Sequence, residues 1–423
     1  MFLTIYGGLH YYIYKKAIKI LPLAKWVSIV FLGFMVFAPL LIRLLTNAGF
    51  TSLAVPLAWI GYTWMGFAFL FFSFSVALDF YQLSVKAGGK LLRFDASLIT
   101  LPSPFYSVLV AAILSLIATG YGFVTARQIN VEWVHIPTIK LNKMSEPFRI
   151  VQISDLHLGL LSDEKRLRRI VETIESIRPD VVVSTGDLID MQLDHLDGFA
   201  DLLLKLNPRF GKFAVTGNHE AYAGLDKGLL FTKRAGFKML SYEGVKAGGI
   251  INIVGVDDPA VSTHLKINPP AEEAVLQHYP KKEFTLLLKH RPKVIPASMQ
   301  WFDLQLSGHT HGGQIFPFNL VTRLVYPAKT GLSQVGHETW LYVNPGIGTW
   351  GPPIRFLVSP ELTVIELRPD TGTQVGKAEG YPPELINNGD LLSAIILLSL
   401  AILNSVLTAS SPSFPKLRVK SLT

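Results

Sequence analysis

The sequence VVVSTGDLID at residues 181–190 joins a run of β-branched residues to a glycine and two aspartates. The apolar run predicts a buried strand, and the polar residues after it predict a loop at the end of that strand. Four other stretches repeat this order: FRIVQISDLHLG (148–159), KFAVTGNHE (212–220), FTLLLKH (284–290) and LQLSGHTHGGQ (304–314). Because ligand sites in α/β sheets lie beyond the carboxyl ends of the strands, five such loops can build one site.

Strands alternate with helices between residues 125 and 370. The predicted strands are Phe148–Ser154, Val181–Thr185, Lys212–Thr216, Ile250–Val256, Phe284–Leu288, Leu304–Ser307, Trp340–Val343 and Leu362–Leu367. The predicted helices are Asp163–Ile177, Leu193–Leu206, Leu225–Ala235 and Ala271–His278. This alternation predicts an α/β fold with a layered sheet core.

The five loops carry side chains that are suited to bind metal ions. The candidate ligands are Asp155, His157, Asp187, Asn218, His290, His309 and His311. Their oxygen and nitrogen donors suit Mn, Fe or Zn. These groups give each of two metals four protein ligands only if one carboxylate bridges both. Two metals about 3.5–4 Å apart clamp an in-line displacement at phosphorus, so the pattern points to phosphoryl chemistry. Asp257 and Asp258 follow another strand, and either a place in the site or a turn before Pro259 would explain them.

These blocks resemble the calcineurin-like metallophosphoesterase superfamily, and more narrowly its membrane-attached bacterial branch. The resemblance covers roughly Phe148 to Leu367 and includes YVNPGIGTWGPPIRF at residues 342–356. It implies a layered β-sandwich flanked by helices and a metal-dependent phosphoric ester hydrolase with two divalent ions.

The resemblance also implies a role for each motif residue. Asp155, His157 and His311 would bind the first metal, Asp187 would bridge, and Asn218, His290 and His309 would bind the second. The nucleophile would be a hydroxide between the metals. His219 would stabilise the transition-state charge or protonate the leaving oxygen, and Asp190 would orient His219. The arginine that follows the GDxxD block in the protein phosphatases is replaced by Met191, which disfavours a phosphoprotein substrate.

The N-terminal part, residues 1–124, has the composition of a membrane region. The whole chain of 423 residues is 49% hydrophobic and only 17% charged. Spans are predicted at about 26–42, 53–78 and 105–124, since a spanning helix needs about 20 apolar residues. Residues 1–14 are predicted to form an interfacial anchor. A linker is expected at 371–390, before a hydrophobic segment and basic tail at 391–423. Residues 391–407 could span the membrane or form a buried or interfacial helix.

The basic residues predict the orientation of these spans. Lys/Arg residues precede the first span at 15–25 and separate the second from the third at 86–93. Basic loops stay in the cytoplasm, so the domain at 125–370 is expected on the outer face, in the periplasm or outside a bacterial cell. That domain is nearly neutral, with 27 Lys/Arg and 26 Asp/Glu, which argues against a nucleic-acid partner.

The sequence therefore predicts a membrane-anchored phosphoesterase and favours a phosphodiesterase that acts on a lipid or envelope phosphate ester. Manganese is one candidate metal. The alternatives are a nuclease of the same superfamily and a non-catalytic envelope binding or scaffold protein that keeps the fold. Loss of a ligand would indicate the scaffold protein, and every ligand position is filled.

Overall fold

A computed structural model of the protein describes residues 2–20, 22–92, 99, 101–141, 146–190 and 197–370. The linker and the C-terminal segment predicted from residue 371 onward lie outside the described residues. Met191 and the first residues of the helix predicted at Leu193–Leu206 lie outside them too.

The chain begins with four helices: α1 (Phe2–Ala17), α2 (Lys25–Asn47), α3 (Thr51–Leu92) and α4 (Pro104–Ala126). Three helical stretches, Pro22–Asn47, Thr51–Leu92 and Pro104–Ala126, are long and apolar enough to cross a membrane, and they contain the three predicted spans. Helix α3 has 42 residues and is therefore about 63 Å long, twice the hydrocarbon thickness of a bilayer. It continues past the apolar run that was predicted to end at Leu78.

The chain forms two compact units. One includes Met1–Phe37 and Phe67–Thr119, whose described residues are mostly helical. The other joins Ala38–Gly66 to Gly120–Pro382, so it contains the end of α2, the start of α3, the end of α4 and every described strand.

Twelve strands form two six-stranded sheets. The strands are β1 (Asn130–Thr138), β2 (Phe148–Ile153), β3 (Val181–Ser184), β4 (Lys212–Ala214), β5 (Lys238–Met239), β6 (Glu243–Ala247), β7 (Ile251–Gly255), β8 (Thr285–Leu288), β9 (Leu304–Ser307), β10 (Gly331–Gln334), β11 (Trp340–Val343) and β12 (Glu361–Pro369). The first sheet has the order β1-β12-β2-β3-β4-β5, and the second has the order β10-β11-β9-β8-β7-β6. Neighbours β2, β3 and β4 are parallel, as are β7, β8 and β9, which brings the carboxyl ends of each set to one edge.

The core lies between the two sheets. Phe148, Ile150 and Val183 of the first sheet belong to the same buried cluster as Leu286 and Leu306 of the second. The remaining helices are α5 (Glu164–Ile177), α6 (Asp197–Leu204), α7 (Asn218–Arg234), α8 (Pro259–Leu265), α9 (Glu272–Leu276) and α10 (Phe318–Val325). Side chains of α5, α6 and α7 pack on the other face of the first sheet. The predicted fold, a layered β-sandwich flanked by helices, is confirmed.

Helix α5 shows how its sequence encodes its packing. Asp163 caps the helix by accepting a hydrogen bond from the backbone N–H of Lys165 at 3.0 Å. The apolar residues at helical spacing, Leu167, Ile170, Val171, Ile174 and Ile177, are the ones that are buried. The predicted helix is therefore confirmed, with Asp163 as its cap.

Several elements differ from their predictions. Strands β1, β5, β6 and β10 and helices α8 and α10 were not predicted. Strand β1 forms its ladder with β12, more than 200 residues later in the chain, so its half-exposed sequence alone is a weak signal. Helix α7 was predicted to begin at Leu225 but begins at Asn218, and a kink at Gly224 (φ 101°) separates its first turn from the rest.

Two glycines allow helices α3 and α4 to approach the segment around Ile354 closely. A Cβ on Gly66 of α3 would lie 2.6 Å from Ile354 Cδ1, and one on Gly122 of α4 would lie 3.0 Å from Ile354 Cβ. The backbone N–H of Arg355 also donates to the carbonyl of Gly122 at 3.0 Å. The segment around Ile354 is therefore held directly against these helices.

Candidate metal centre

The predicted site residues all follow strand ends, and the structure brings them together. Loops after β2, β3 and β4 in the first sheet meet loops after β8 and β9 in the second. Of the seven predicted ligands, six are buried and His309 is half-buried; the six are Asp155, His157, Asp187, Asn218, His290 and His311.

Three of these side chains form a first group. The ligand atoms of Asp155, His157 and His311 all lie within 4.8 Å of one another. His157 Nε2 is 3.0 Å from His311 Nε2, and His311 Nε2 is 3.5 Å from Asp155 Oδ1. Two imidazole nitrogens that face each other at this distance need a shared proton or a shared cation, so the arrangement suits a metal ion.

A second group forms around His290. Asp187, His290 and His309 have ligand atoms within 4.8 Å of one another. His290 Nε2 is 3.2 Å from Asp187 Oδ2, 3.2 Å from Asn218 Oδ1 and 3.1 Å from His309 Nδ1. The Nδ1–H of His290 donates to the carbonyl of Thr185 at 2.8 Å, which leaves Nε2 to face the group. This is the usual way in which a ligand histidine is oriented.

Asp187 lies between the two groups. Its Oδ2 is 3.2 Å from His290 Nε2 and 3.7 Å from His157 Nε2. The donor set fits two divalent ions, because nitrogen and oxygen donors converge at two places and one carboxylate serves both. His157, Asp187 and His219 form a third group of the same size, so distance alone does not separate His219 from the ligands.

Glycines make room for the carboxylates. A Cβ on Gly217 would overlap the Asp187 carboxylate, and one on Gly308 would overlap the side chains of Ser154 and Asp155. The glycines of the GNHE and GHTH blocks are therefore required by this close approach rather than by their turns alone.

The backbone at the centre is strained. Asp155, His157, Asp187, His309 and His311 have φ values of 51°, 48°, 53°, 71° and 50°. Residues other than glycine rarely adopt this left-handed region, and such strain concentrates at functional sites. Five of the seven predicted ligands share it, which a structural turn would not require.

Burial keeps three imidazoles neutral. It lowers the pKa of His157 to about 4 and that of His309 to about 3, and it holds the pKa of His311 well below its usual range. The neutral imidazole is the form that binds a metal ion, so these side chains are prepared for binding at neutral pH.

Charge pairing dominates at the other group. Burial disfavours a charged His290, but the neighbouring Asp187 raises the pKa of His290 to about 10. Burial likewise opposes ionisation of Asp187, yet His290 holds the pKa of that carboxyl well below its usual value. The ionised Asp187 carboxylate is therefore stabilised by a positive charge beside it. A divalent cation can supply that charge in place of the proton on His290.

His219 is held by Asp190. The Nδ1 of His219 is 2.9 Å from Asp190 Oδ1, and its backbone N–H donates to Asp187 Oδ1 at 2.8 Å. Burial lowers the pKa of His219, but the hydrogen bond to Asp190 and the negative charges of Asp190 and Asp187 together outweigh burial and raise the pKa above its usual value. With Nδ1 engaged by Asp190, Nε2 is the atom that can exchange a proton at the site.

Glu220 is a site residue that sequence analysis missed. Its buried carboxylate accepts hydrogen bonds from the backbone N–H groups of Gly217 (2.7 Å), Asp187 (3.1 Å) and Leu188 (2.9 Å). It thereby ties the GDLID loop to the first turn of α7. Glutamate three residues after the N-cap position is the signature of a capping box, so the GNHE sequence contained the signal.

Glu220→Ala is expected to lower the free energy of unfolding by about 2–4 kcal/mol, because it leaves three buried N–H groups without an acceptor. For a domain of this size the unfolding midpoint should fall by about 5–15 °C. Glu172→Ala, at an exposed position of α5, is the control and should melt like the wild type. Melting of Glu220→Ala at the wild-type temperature would contradict this role.

Two further contacts support the ligands. Arg355 is fully buried and donates to the carbonyls of Gly348 (2.7 Å) and Pro345 (2.9 Å), with Nη2 3.4 Å from His311 Nδ1. Tyr326 OH is 2.9 Å from His309 Nε2. Arg355 lies in the GTWGPPIRF stretch that carried the family resemblance, whereas Tyr326 had no sequence motif to mark it.

The position of Asp258 is settled by its contacts. Asp258 caps α8 by accepting from the N–H of Ala260 at 2.8 Å, and it pairs with Arg291 through Nε at 2.7 Å. Asp258 therefore caps the turn before Pro259, as one of the two sequence interpretations expected, and its negative charge forms an ion pair with Arg291.

Comparison with known proteins agrees with the family resemblance of the sequence motifs. A family model described as calcineurin-like phosphoesterase matches residues 148–313. An uncharacterized metallophosphoesterase of Aquifex aeolicus is 35% identical over 257 residues, which are 60% of this chain and 98% of that protein. One of Campylobacter jejuni is 29% identical over 86% of this chain and 96% of its own length. A Danio rerio transmembrane protein with metallophosphoesterase domain is 32% identical over 62% of this chain and 63% of its own length.

Proposed function

Because the chain belongs to the calcineurin-like metallophosphoesterase family, we propose that it is a membrane-anchored phosphodiesterase that hydrolyses a lipid or envelope phosphate ester with two divalent metal ions. The observation that carries this proposal is the position of Asp187 between two groups of metal-competent side chains. His219 adjoins both groups and offers a proton donor beside them.

The seven candidate ligands fall into two metal-binding sets. Asp155, His157 and His311 would hold one metal, Asn218, His290 and His309 would hold the other, and Asp187 would contribute to both. Manganese, iron or zinc suits these donors. When bound, two such ions supply Lewis acidity and an activated water for attack at phosphorus.

His219 acts on the leaving group. Its Nε2–H donates a proton to the oxygen that departs from phosphorus. Asp190 accepts the Nδ1–H hydrogen bond, fixes the ring and favours the charged imidazole that can donate that proton.

Hydrolysis by the detergent-purified full chain tests the function. Bis(4-nitrophenyl) phosphate and 4-nitrophenyl phosphate are offered with Mn, Zn, Fe or Mg, and metal content is measured by elemental analysis. We expect the diester to be cleaved faster than the monoester in the presence of Mn, Fe or Zn, and chelation to abolish cleavage. Absence of hydrolysis and of bound metal under every condition would contradict the proposal, and faster monoester cleavage would make the enzyme a phosphomonoesterase.

The catalytic domain is proposed to face outward from a bacterial cell membrane. The positive residues at 15–25 and 86–93 support this orientation. The chain has no cysteine, so a single introduced cysteine reports its own location without background.

Glu172→Cys in the catalytic domain is expected to react with a membrane-impermeant maleimide in intact cells. Lys90→Cys, in the basic segment after the second span, should react only after permeabilisation. Both positions are exposed, so burial does not explain a difference. The opposite labelling pattern would reverse the proposed topology.

A further inference from the structure

A cavity of about 230 Å³ connects the metal centre to a membrane helix. Its lining includes His157 and Asp190 of the centre, together with Trp59 and Tyr62 from the first third of α3. All of these residues belong to the same compact unit of the chain. A molecule that fills this cavity therefore contacts both the catalytic groups and the membrane helix.

Two arginines also line the cavity. Arg127 follows the last residue of α4, and Arg166 is on α5. Neither forms an ion pair with a carboxylate in the part of the chain that the structure describes. Asp163, which lines the same cavity, serves as the cap of α5 instead.

Arg166 has unused hydrogen-bonding capacity. Its Nη2 donates to the carbonyl of Ile347, whereas its Nε is buried without a partner among the described residues. Burial, Arg169 and Arg127 lower the pKa of Arg166 to about 10, so it keeps its charge at neutral pH. Arg166 as a whole is half-buried, but a buried donor without a partner is costly, and an anionic ligand in this cavity would accept a hydrogen bond from Nε.

The lining also includes apolar side chains beside polar ones such as Ser162 and Thr349. The apolar part of the cavity wall includes Trp59, Leu160, Leu161 and Pro353. Trp59 is eight residues from the start of α3, which is about 12 Å along the helix axis. Arg127 is directly beyond the end of a helix that is long enough to span. Trp59 therefore lies within the span predicted at 53–78, and Arg127 lies just beyond the end of the span predicted at 105–124.

We infer that this cavity binds an amphiphilic phosphoester, with Arg127 and Arg166 holding its anionic phosphate headgroup and Trp59 contacting its hydrocarbon chain. The inference rests on the proposed phosphodiesterase function and assigns the substrate class to that site. The substrate enters from the side of the cavity where Trp59 of α3 forms part of the wall.

Two probes with the same scissile bond test this inference in the detergent-solubilised full chain. They are 4-nitrophenyl methyl phosphate and 4-nitrophenyl decyl phosphate, which differ only in their hydrocarbon chain. We expect kcat/KM to be at least about tenfold higher for the decyl probe, the effect of burying roughly two CH₂ groups. Trp59→Ala should reduce this ratio severalfold, whereas Trp26→Ala, at an exposed position of α2, should leave it unchanged.

Arginine variants test the headgroup. Arg166→Gln and Arg127→Gln should each raise KM about tenfold for both probes, as expected for a lost hydrogen bond to a charged group. Arg168→Gln is the matched control, because it removes an arginine from the same helix at a residue that pairs with Glu164 on the exposed face. Metal content and unfolding midpoint are measured for each variant. The decyl probe partitions into detergent micelles equally with every variant, so partitioning does not affect the comparison between variants.

The outcomes separate the two proposals. Cleavage of the methyl probe with no preference for the decyl probe would overturn the inference and leave the phosphodiesterase function intact. A decyl preference that is insensitive to Trp59, Arg127 and Arg166 would overturn the assignment to this cavity. Failure to cleave either probe with any metal would contradict the proposed function and this inference with it.

Discussion

Asp187→Asn is expected to reduce the metal content at both groups and to lower kcat/KM by about 10³-fold or more. Among the described residues, Asp187 is the only carboxylate within 4 Å of both His157 and His290, at 3.7 and 3.2 Å. Asparagine keeps the size of the side chain but removes the charge that attracts both cations. Metal-based stabilisation of the transition state contributes several kcal/mol, and each 1.36 kcal/mol corresponds to about a factor of ten in rate.

Elemental analysis and steady-state kinetics measure this effect together. His157→Ala is the comparison variant and should mainly affect one metal, because His157 belongs to the first group. Asp201→Asn, at an exposed position of α6, is the control and should match the wild type in both measurements. If Asp187→Asn retained both metals, Asp187 would not be the bridging ligand.

His219→Ala is expected to keep both metals and to lower kcat by about 10²–10⁴-fold, the usual contribution of general acid catalysis. The loss should be largest for an alkyl diester, because an alkoxide needs a proton when it leaves. A nitrophenolate leaves without one, so a nitrophenyl diester should show a smaller loss. The measurement is kcat for both substrates together with the metal content.

Asp190 should act through His219. Asp190→Asn is expected to reduce kcat less than His219→Ala, because it removes only the group that orients and charges the imidazole. The double variant should be little worse than His219→Ala alone, since residues that act as a unit are not additive. The ratio of rates on the two diesters distinguishes this role from a structural one, which would lower both rates equally.

Other outcomes assign His219 differently. Equal losses on both substrates would leave His219 as an electrostatic stabiliser rather than an acid. Loss of a metal would make it a ligand, which the short distances among His157, Asp187 and His219 permit.

The sequence by itself determined the fold class and the candidate ligands. Each strand that carries a motif is a short apolar run, and each motif follows directly in the chain, so local pattern was sufficient. The three apolar helices were predictable for the same reason, because their length and composition are local properties. Helix α7 shows the limit of this approach: its first turn carries Asn218 and His219, but the break at Gly224 hides the helical period that begins there.

Only the tertiary structure decided how these loops meet and what supports them. Asp155 and His311 are far apart in the chain, and their ligand atoms converge because the parallel strands of two sheets end at the same edge. Tyr326 and Arg166 have ordinary local sequences, and their importance comes from the groups that face them. A sequence motif records which side chains are available. Their pKa values, their partners and the cavity beside them depend on burial and long-range packing, which are properties of the folded chain.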